Sequence, residues 1–231
     1  MGFADALSRA GVQYLAASPE TMLAPGVPSD VAHAIASHET NPATMAKAVV
    51  RDVMQTKYGL GEGGGFTPAA AFDVLDLDGQ KIQRAERAIK RLNDDVAAEA
   101  ATPSVRNAVR EDARAIDGMV RFHGSRGLPW HADRPAIAFY DSLGGDGRLD
   151  ERLQSDALQA SAAVRNLVLA HRESAGFNPF GGADYSDAVG PTVHLPTSQR
   201  EIDPWASAGM TETENAFYRA VDEARMTSVL A

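Results

Sequence analysis

The stretch MGFADALSRAGVQYLAASPETMLAPG, Met1 to Gly26, decides the fold class. Phe3, Ala6, Leu7 and Ala10 recur at helical spacing, and Gly11 stands where a helix usually stops. Val12 to Ala17 then reads as a short buried strand, and Ser18-Pro19-Glu20 opens a loop that closes at Pro25-Gly26. A helix, a strand and a loop in that order are what the inside of a larger α/β domain looks like. No strand precedes the helix, so the reading expects a further segment of the domain upstream of it.

Composition narrows the classes. The chain has 231 residues, enough for one large domain or two small ones, and at 44% hydrophobic residues it can bury a sizeable core. Net charge is −9, from 31 acidic against 22 basic residues, which argues against a nucleic-acid partner, since such binding needs a positive field. No apolar run approaches membrane-spanning length, so no membrane partner is expected. Cysteine is absent, which excludes disulfides, thiolate metal sites and a thiol nucleophile within this chain and leaves its compartment open.

Working outward from Gly26, Pro28-Ser29-Asp30 opens a short helix carrying Val31, Ala34 and Ile35. Asn41-Pro42 starts another, with Met45, Ala46, Val49, Val50 and Val53 on its apolar face and an end near Tyr58-Gly59. Gly61 to Gly65 reads as a flexible loop and Phe72 to Leu77 as a short strand. Asp76 or Asp78 caps a long helix through about Ala101, with Ile82, Ala85, Ile89, Leu92 and Val96 on one side. Thr102-Pro103 begins a further helix, with Val105, Val109, Ala113, Ile116 and Val120 inward. Two long helices joined so briefly are expected to pack as an antiparallel hairpin. Gly124 to Arg134 is read as a loop, Ala136 to Tyr140 as a short strand, and roughly Asp150 to Ser174 as one long helix. Val193-His194-Leu195 is the last strand, and Thr211-Glu212-Thr213-Glu214 is a capping box for a terminal helix with Phe217, Ala220, Val221 and Ala224 buried. The fold class expected is α/β, predominantly helical.

Several of these blocks carry a resemblance. Met1-Gly2, Tyr14 to Thr21 and Pro25-Gly26 resemble the part of clostripain-like cysteine peptidases, relatives of caspases and gingipains, that follows their nucleophilic cysteine. Asp76-Leu77, Phe139 to Leu143 and Gly190 to Pro196 resemble, in order and spacing, the Asp-Leu helix starts and the closing strand of that family. The resemblance implies an incomplete caspase-like α/β sheet over 1–75 and a mainly helical subdomain over 76–231, with a returning strand near 192–196. It implies that the catalytic Cys and His lie outside this chain, which by itself is inactive. The implied partners are the missing N-terminal peptidase half or a peptide substrate. In the family the loop after the Ser-Glu strand lines the pocket for the residue before the scissile bond. Carried over, Ser18, Pro19, Glu20, Pro25, Gly26, Val27 and Asp30 form part of a pocket wall. Members that select Arg or Lys tend to place an acid just after Pro-Gly, where a carboxylate pairs with the substrate cation. Val27 stands there in this chain, and Asp30, one helical turn further, is either a substitute or an N-cap. The same loop also reads as a plain strand-to-helix connection that needs no substrate. The alternative function is a non-catalytic helical protein-interaction module.

Other chemistry-bearing residues have bland readings beside the sharp ones. Of six histidines, His33, His38, His123, His131, His171 and His194, none forms a His-Glu-x-x-His run, and each reads as structural or solvated. His171 falls at the edge of a helical apolar stripe, while His123 and His131 share a loop. Gly59-x-Gly61-x-x-Gly64 matches a dinucleotide fingerprint only formally, because that motif needs a strand before it and a helix after it. Asp146-Gly147-Arg148-Leu149-Asp150 resembles the middle of a calcium loop, but Ser142, Gly144 and Leu153 fall at ligand positions. A helix-capping turn is the better reading and no cofactor is expected, with a calcium site completed from elsewhere as the alternative. Lys81, Arg84, Arg87 and Lys90 line one helix face, which is read as solvated, with an anionic partner as the sharper alternative. Trp130 and Trp205 sit in proline-containing loops.

Overall fold

The central element is a strand buried on both sides. In the computed structural model β4, Ala69–Asp76, is the middle of a three-stranded sheet in the order β1-β4-β6, where β1 is Tyr14–Ala17 and β6 is Val168–Ala175. Both ladders are antiparallel, and a bulge interrupts the second between Val74 and Leu75. A strand with neighbours on both edges and helices on both faces has no solvated side. That is why Ala71 to Leu75 are all buried and read as a nearly unbroken apolar run. The structure describes residues 2–18, 33, 37, 41–55, 58–59, 65–66, 69–117, 133–175, 188–195 and 223–230.

Helices cover the two faces unequally. On one, α2, Pro42–Gln55, lays Ala46, Val50 and Val53 on Phe72 and Val74, with Tyr14, Ala16, Leu169 and Ala170 at the margin. Asn41 caps it as its sequence requires, Oδ1 accepting from the Thr44 N–H at 3.1 Å. On the other face lies the main core. It is built by α1, Gly2–Arg9; α3, Gly79–Glu99; α4, Pro103–Asp117; α5, Ala136–Gly145; α6, Glu151–Arg165; and α7, Glu223–Leu230. Two small ribbons complete the described strands. β2, Tyr58–Gly59, pairs with β3, Gly65–Phe66, and β5, Asp133–Pro135, pairs with β7, Thr192–His194. The protein is thus predominantly helical with a small antiparallel sheet. The domain boundary drawn at residue 75 falls inside β4, and β6, from the helical region, pairs with that strand.

The caps are where the residues put them. Asp78 accepts from the N–H groups of Gln80 at 3.0 Å and Lys81 at 3.1 Å, and Asp150 from that of Leu153 at 2.7 Å. The apolar stripe of α3, Ile82, Ala85, Ile89, Leu92 and Val96, is fully inside. Each such large side chain contributes about 1.5–3 kcal/mol by leaving water.

Four elements differ from expectation. Ala136 to Tyr140 is not a strand but the start of α5, a helix whose Ala136, Ile137, Phe139, Tyr140, Leu143 and Gly144 are all buried. The helix expected through Ser174 stops at Arg165, and a turn at Asn166-Leu167 leads into β6. α2 ends at Gln55, and Tyr58-Gly59 belongs to a ribbon. Finally, α3 and α4 do not cover one another's stripes. α3 packs chiefly on α6 and next on α7, while α4 meets α5 and α7 more than it meets α3. Leu153, Ala157, Ala160 and Val164 of α6 belong to the same core as the α3 stripe and take up the space the hairpin would have filled. The expectations for Val31, Ala34 and Ile35, for Gly61 to Gly64, for Val120 and Gly124 to Ala132, for Trp205, for the capping box and for Phe217 to Val221 lie outside the described residues.

Between α3 and α6 sits a pair of carboxylates. Arg152 holds Asp95, with Nε 3.1 Å from Oδ2, and Arg91 stands 3.9 Å from the buried Asp156. Burial first, and then the neighbouring Asp95, pushes the Asp156 carboxyl above the usual carboxylate range. A carboxylate raised by folding loses native-state stability as pH climbs through its folded pKa. Asp156→Asn removes the like charge and keeps the shape. It should gain ~0.5–1 kcal/mol at neutral pH and nothing at strongly acid pH. Urea unfolding at pH 3 and pH 7.5 measures both arms.

Candidate functional site

One polar cluster interrupts the sheet's apolar interior. Asp73 is the only charged residue within the Ala69 to Leu75 run, and its side chain is 3% exposed. In the ladders Asp73 lies opposite Ala17 of β1 on one side and His171 of β6 on the other. Directly opposed residues on antiparallel strands share a face, so the carboxylate and the imidazole meet. Nδ1 of His171 is 2.9 Å from Oδ1 of Asp73. The second carboxylate oxygen, Oδ2, accepts the backbone N–H of Gly190 at 3.0 Å.

Gly190 is fitted to this role by its backbone. Its φ is +79°, in the left-handed region that glycine enters without penalty. An added Cβ would come within 3.0 Å of Ile137 Cδ1 and 3.1 Å of Val168 Cγ2. The close approach lets the 188–191 segment lie against the sheet and aim one N–H at Asp73. Pro191 follows, and its carbonyl accepts the N–H of Ala136 at 3.1 Å, so the same segment holds the start of α5.

The electrostatics follow from burial and pairing. Burial pushes the Asp73 carboxyl up, against the opposing pull of His171 and the Gly190 N–H. The hydrogen bond to Asp73 raises His171 above its ordinary value, and burial only partly offsets it. Both shifts have one meaning: the pair holds a proton more readily than its members do in water. Nε2 of His171 is buried and has no hydrogen-bond partner among the described residues; Oε2 of Glu173 stands 4.0 Å away.

Of the expected pocket-wall residues Ser18 alone is described, and it follows the β1 residue that pairs with Asp73. Ala17, the neighbour of Asp73, ends β1, and Ser18 leaves it half-buried. Pro19, Glu20, Pro25, Gly26, Val27 and Asp30 lie outside the described residues, as do His38, His123, His131 and Trp130. His33 is exposed, and His194 stands in β7 opposite Asp133. His171 is therefore placed differently from expectation: it is on a strand, not on a helix edge, and it is paired. Asp73 lies inside the strand expected over Phe72 to Leu77 and Gly190 opens the block that resembles a closing strand, but neither is marked there as part of a site. The signal that marks Asp73 is an acid in an otherwise apolar run, which has to be hydrogen-bonded if the run is a central strand.

The remaining motifs resolve locally. Asp146 Oδ1 accepts the Arg148 N–H at 2.9 Å and Asp150 caps α6, so both carboxylates of the calcium-like run serve a turn and a helix start. Among the described residues no group of three or more His, Asp or Glu side chains is arranged to hold a metal ion. Gly59 is in β2 and Gly65 in β3, and the next element among the described residues is the strand β4, not a helix that could receive a pyrophosphate. Lys81 reaches Asp76 at 2.7 Å and Lys90 reaches Asp94 at 2.8 Å, while Arg84 and Arg87 are exposed, the pattern of a solvated face. Among the described residues no helix is long and apolar enough to cross a membrane. Comparison with protein-family models, curated proteins and solved structures found no match to this chain.

Proposed function

We propose that the chain is the non-catalytic, C-terminal portion of a clostripain-like cysteine peptidase, with an incomplete caspase-like sheet and the helical subdomain that packs on it. In the intact enzyme a thiolate attacks the scissile carbonyl and a histidine shuttles the proton; this chain, without cysteine, supplies scaffold and pocket wall. The observation that carries the reading is the position of β1. It is an edge strand, hydrogen-bonded to β4 on one side and to no strand on the other among the described residues. The loop that leaves it at Ser18 begins beside the Asp73–His171 pair. A pocket wall starting there would be held by a buried polar anchor.

A second reading, a self-sufficient helical interaction module, is favoured by one observation: both faces of β4 are covered, by α2 and by the main core. The two readings part on one experiment. The sequence coding upstream of Met1 is read in frame, and the longer chain is produced beside the shorter one. The peptidase reading expects a cysteine within a few codons, cleavage of peptide substrates by the longer chain that alkylation abolishes, and none by the shorter. Reproducible cleavage by the purified 231-residue chain, or an upstream frame without cysteine, overturns it.

A further inference from the structure

We propose that His171 is a protonation-controlled clasp, which draws the Glu173 carboxylate onto Nε2 when it gains a proton and so ties the 188–191 segment to the sheet. Three features of the geometry carry this. Nδ1 is committed to Asp73, whose other oxygen is committed to the Gly190 N–H, so the imidazole is oriented and connected to the segment. Nε2 is buried and unpartnered among the described residues, a state a neutral ring tolerates as a bare lone pair. A proton on Nε2 makes a buried donor that needs an acceptor, and leaving one unmet is costly.

Glu173 is placed to answer. It lies two residues along β6 and therefore on the same face of the strand, its Oε2 is 4.0 Å from Nε2, and its side chain is 47% exposed. A rotamer change of a half-exposed side chain closes that gap. The chain of contacts then runs Glu173, His171, Asp73, Gly190 N–H, across β6, β4 and the segment that leads into β7. Among the described residues the charged groups that bear on the ring are Asp73, Glu173 and, opposing them, Arg172. Ala17, opposite Asp73 in β1, and Ala188 and Val189, which precede Gly190, carry no charge.

The sign is fixed by linkage. A histidine raised by folding stabilises the native state fully below its unfolded pKa, and that contribution is lost as pH rises through the folded value. The segment is therefore held more tightly at mildly acid pH and loosened at alkaline pH.

The test follows imidazole resonances of the full chain from pH 5 to 9, with hydrogen exchange of the Gly190 amide corrected for its intrinsic pH dependence. His171 should titrate above the ordinary histidine range, and protection at Gly190 should fall by about threefold or more across that titration. In Glu173→Gln the midpoint should drop and the pH dependence of protection should shrink. Asp73→Asn should lower the midpoint further. If that variant does not fold, Glu173→Gln decides alone, since residue 173 is exposed. A His171 midpoint at or below the ordinary value, a midpoint unmoved by Glu173→Gln, or protection at Gly190 independent of pH overturns the clasp.

Discussion

A chain carrying valine in place of Gly190 is expected to be less stable than the parent by about 2–5 kcal/mol in urea unfolding. Two costs add. The backbone there has φ +79°, where a β-branched residue is most strained. The side chain would also have to displace Ile137 and Val168, whose atoms stand 3.0 and 3.1 Å from the first added carbon. Gly11 separates the terms, because its φ is +85° but nothing lies within 4 Å of an added Cβ. Gly11→Ala should therefore lose only the conformational part, about 1 kcal/mol. Gly79, with no such φ and open space around it, should accept alanine at no cost, or gain slightly as the first residue of α3. If Gly190→Val proves as mild as Gly11→Ala, the close approach of the 188–191 segment is wrong.

The second large effect is expected in the main core, on α6. Leu153 is fully buried in the core that also holds Leu92 and Ile89. Leu153→Ala should cost ~2–5 kcal/mol, the removed contacts plus whatever cavity the surrounding core fails to close. Leu158, on the same helix but 50% exposed, is the control, and its alanine variant should lose less than about 1 kcal/mol. Equal losses at the two positions would mean that α6 does not turn its Leu153 side into the main core.

What the residues disclosed in advance was local. The helix starts at Pro42, Gly79, Pro103 and Glu151 follow from a capping side chain or a proline at the first turn, both carried within four residues of sequence. The buried stripe of α3 follows from its 3.6-residue period. The errors came where local signals are silent. Ala136 to Tyr140 is apolar without period, and such a run suits a buried strand and an all-round buried helix equally. No glycine or proline separates α6 from β6, so the turn at Asn166-Leu167 has no punctuation and the helix reads through it. The candidate site was less legible still. Asp73 and His171 are 98 residues apart and Gly190 is 117 from Asp73, so only the ladder brings them together.

The order β1-β4-β6 also sets a schedule for the ribosome. Its strands end at residues 17, 76 and 175, so the middle one emerges with only one of its two neighbours available. At roughly 5–20 residues per second, translation leaves Ala69–Asp76 with one bare edge for several seconds before Val168–Ala175 arrives. During that interval the nascent chain presents an apolar strand able to pair with a neighbouring polysome product, and holdase chaperones have their clearest reason to engage it.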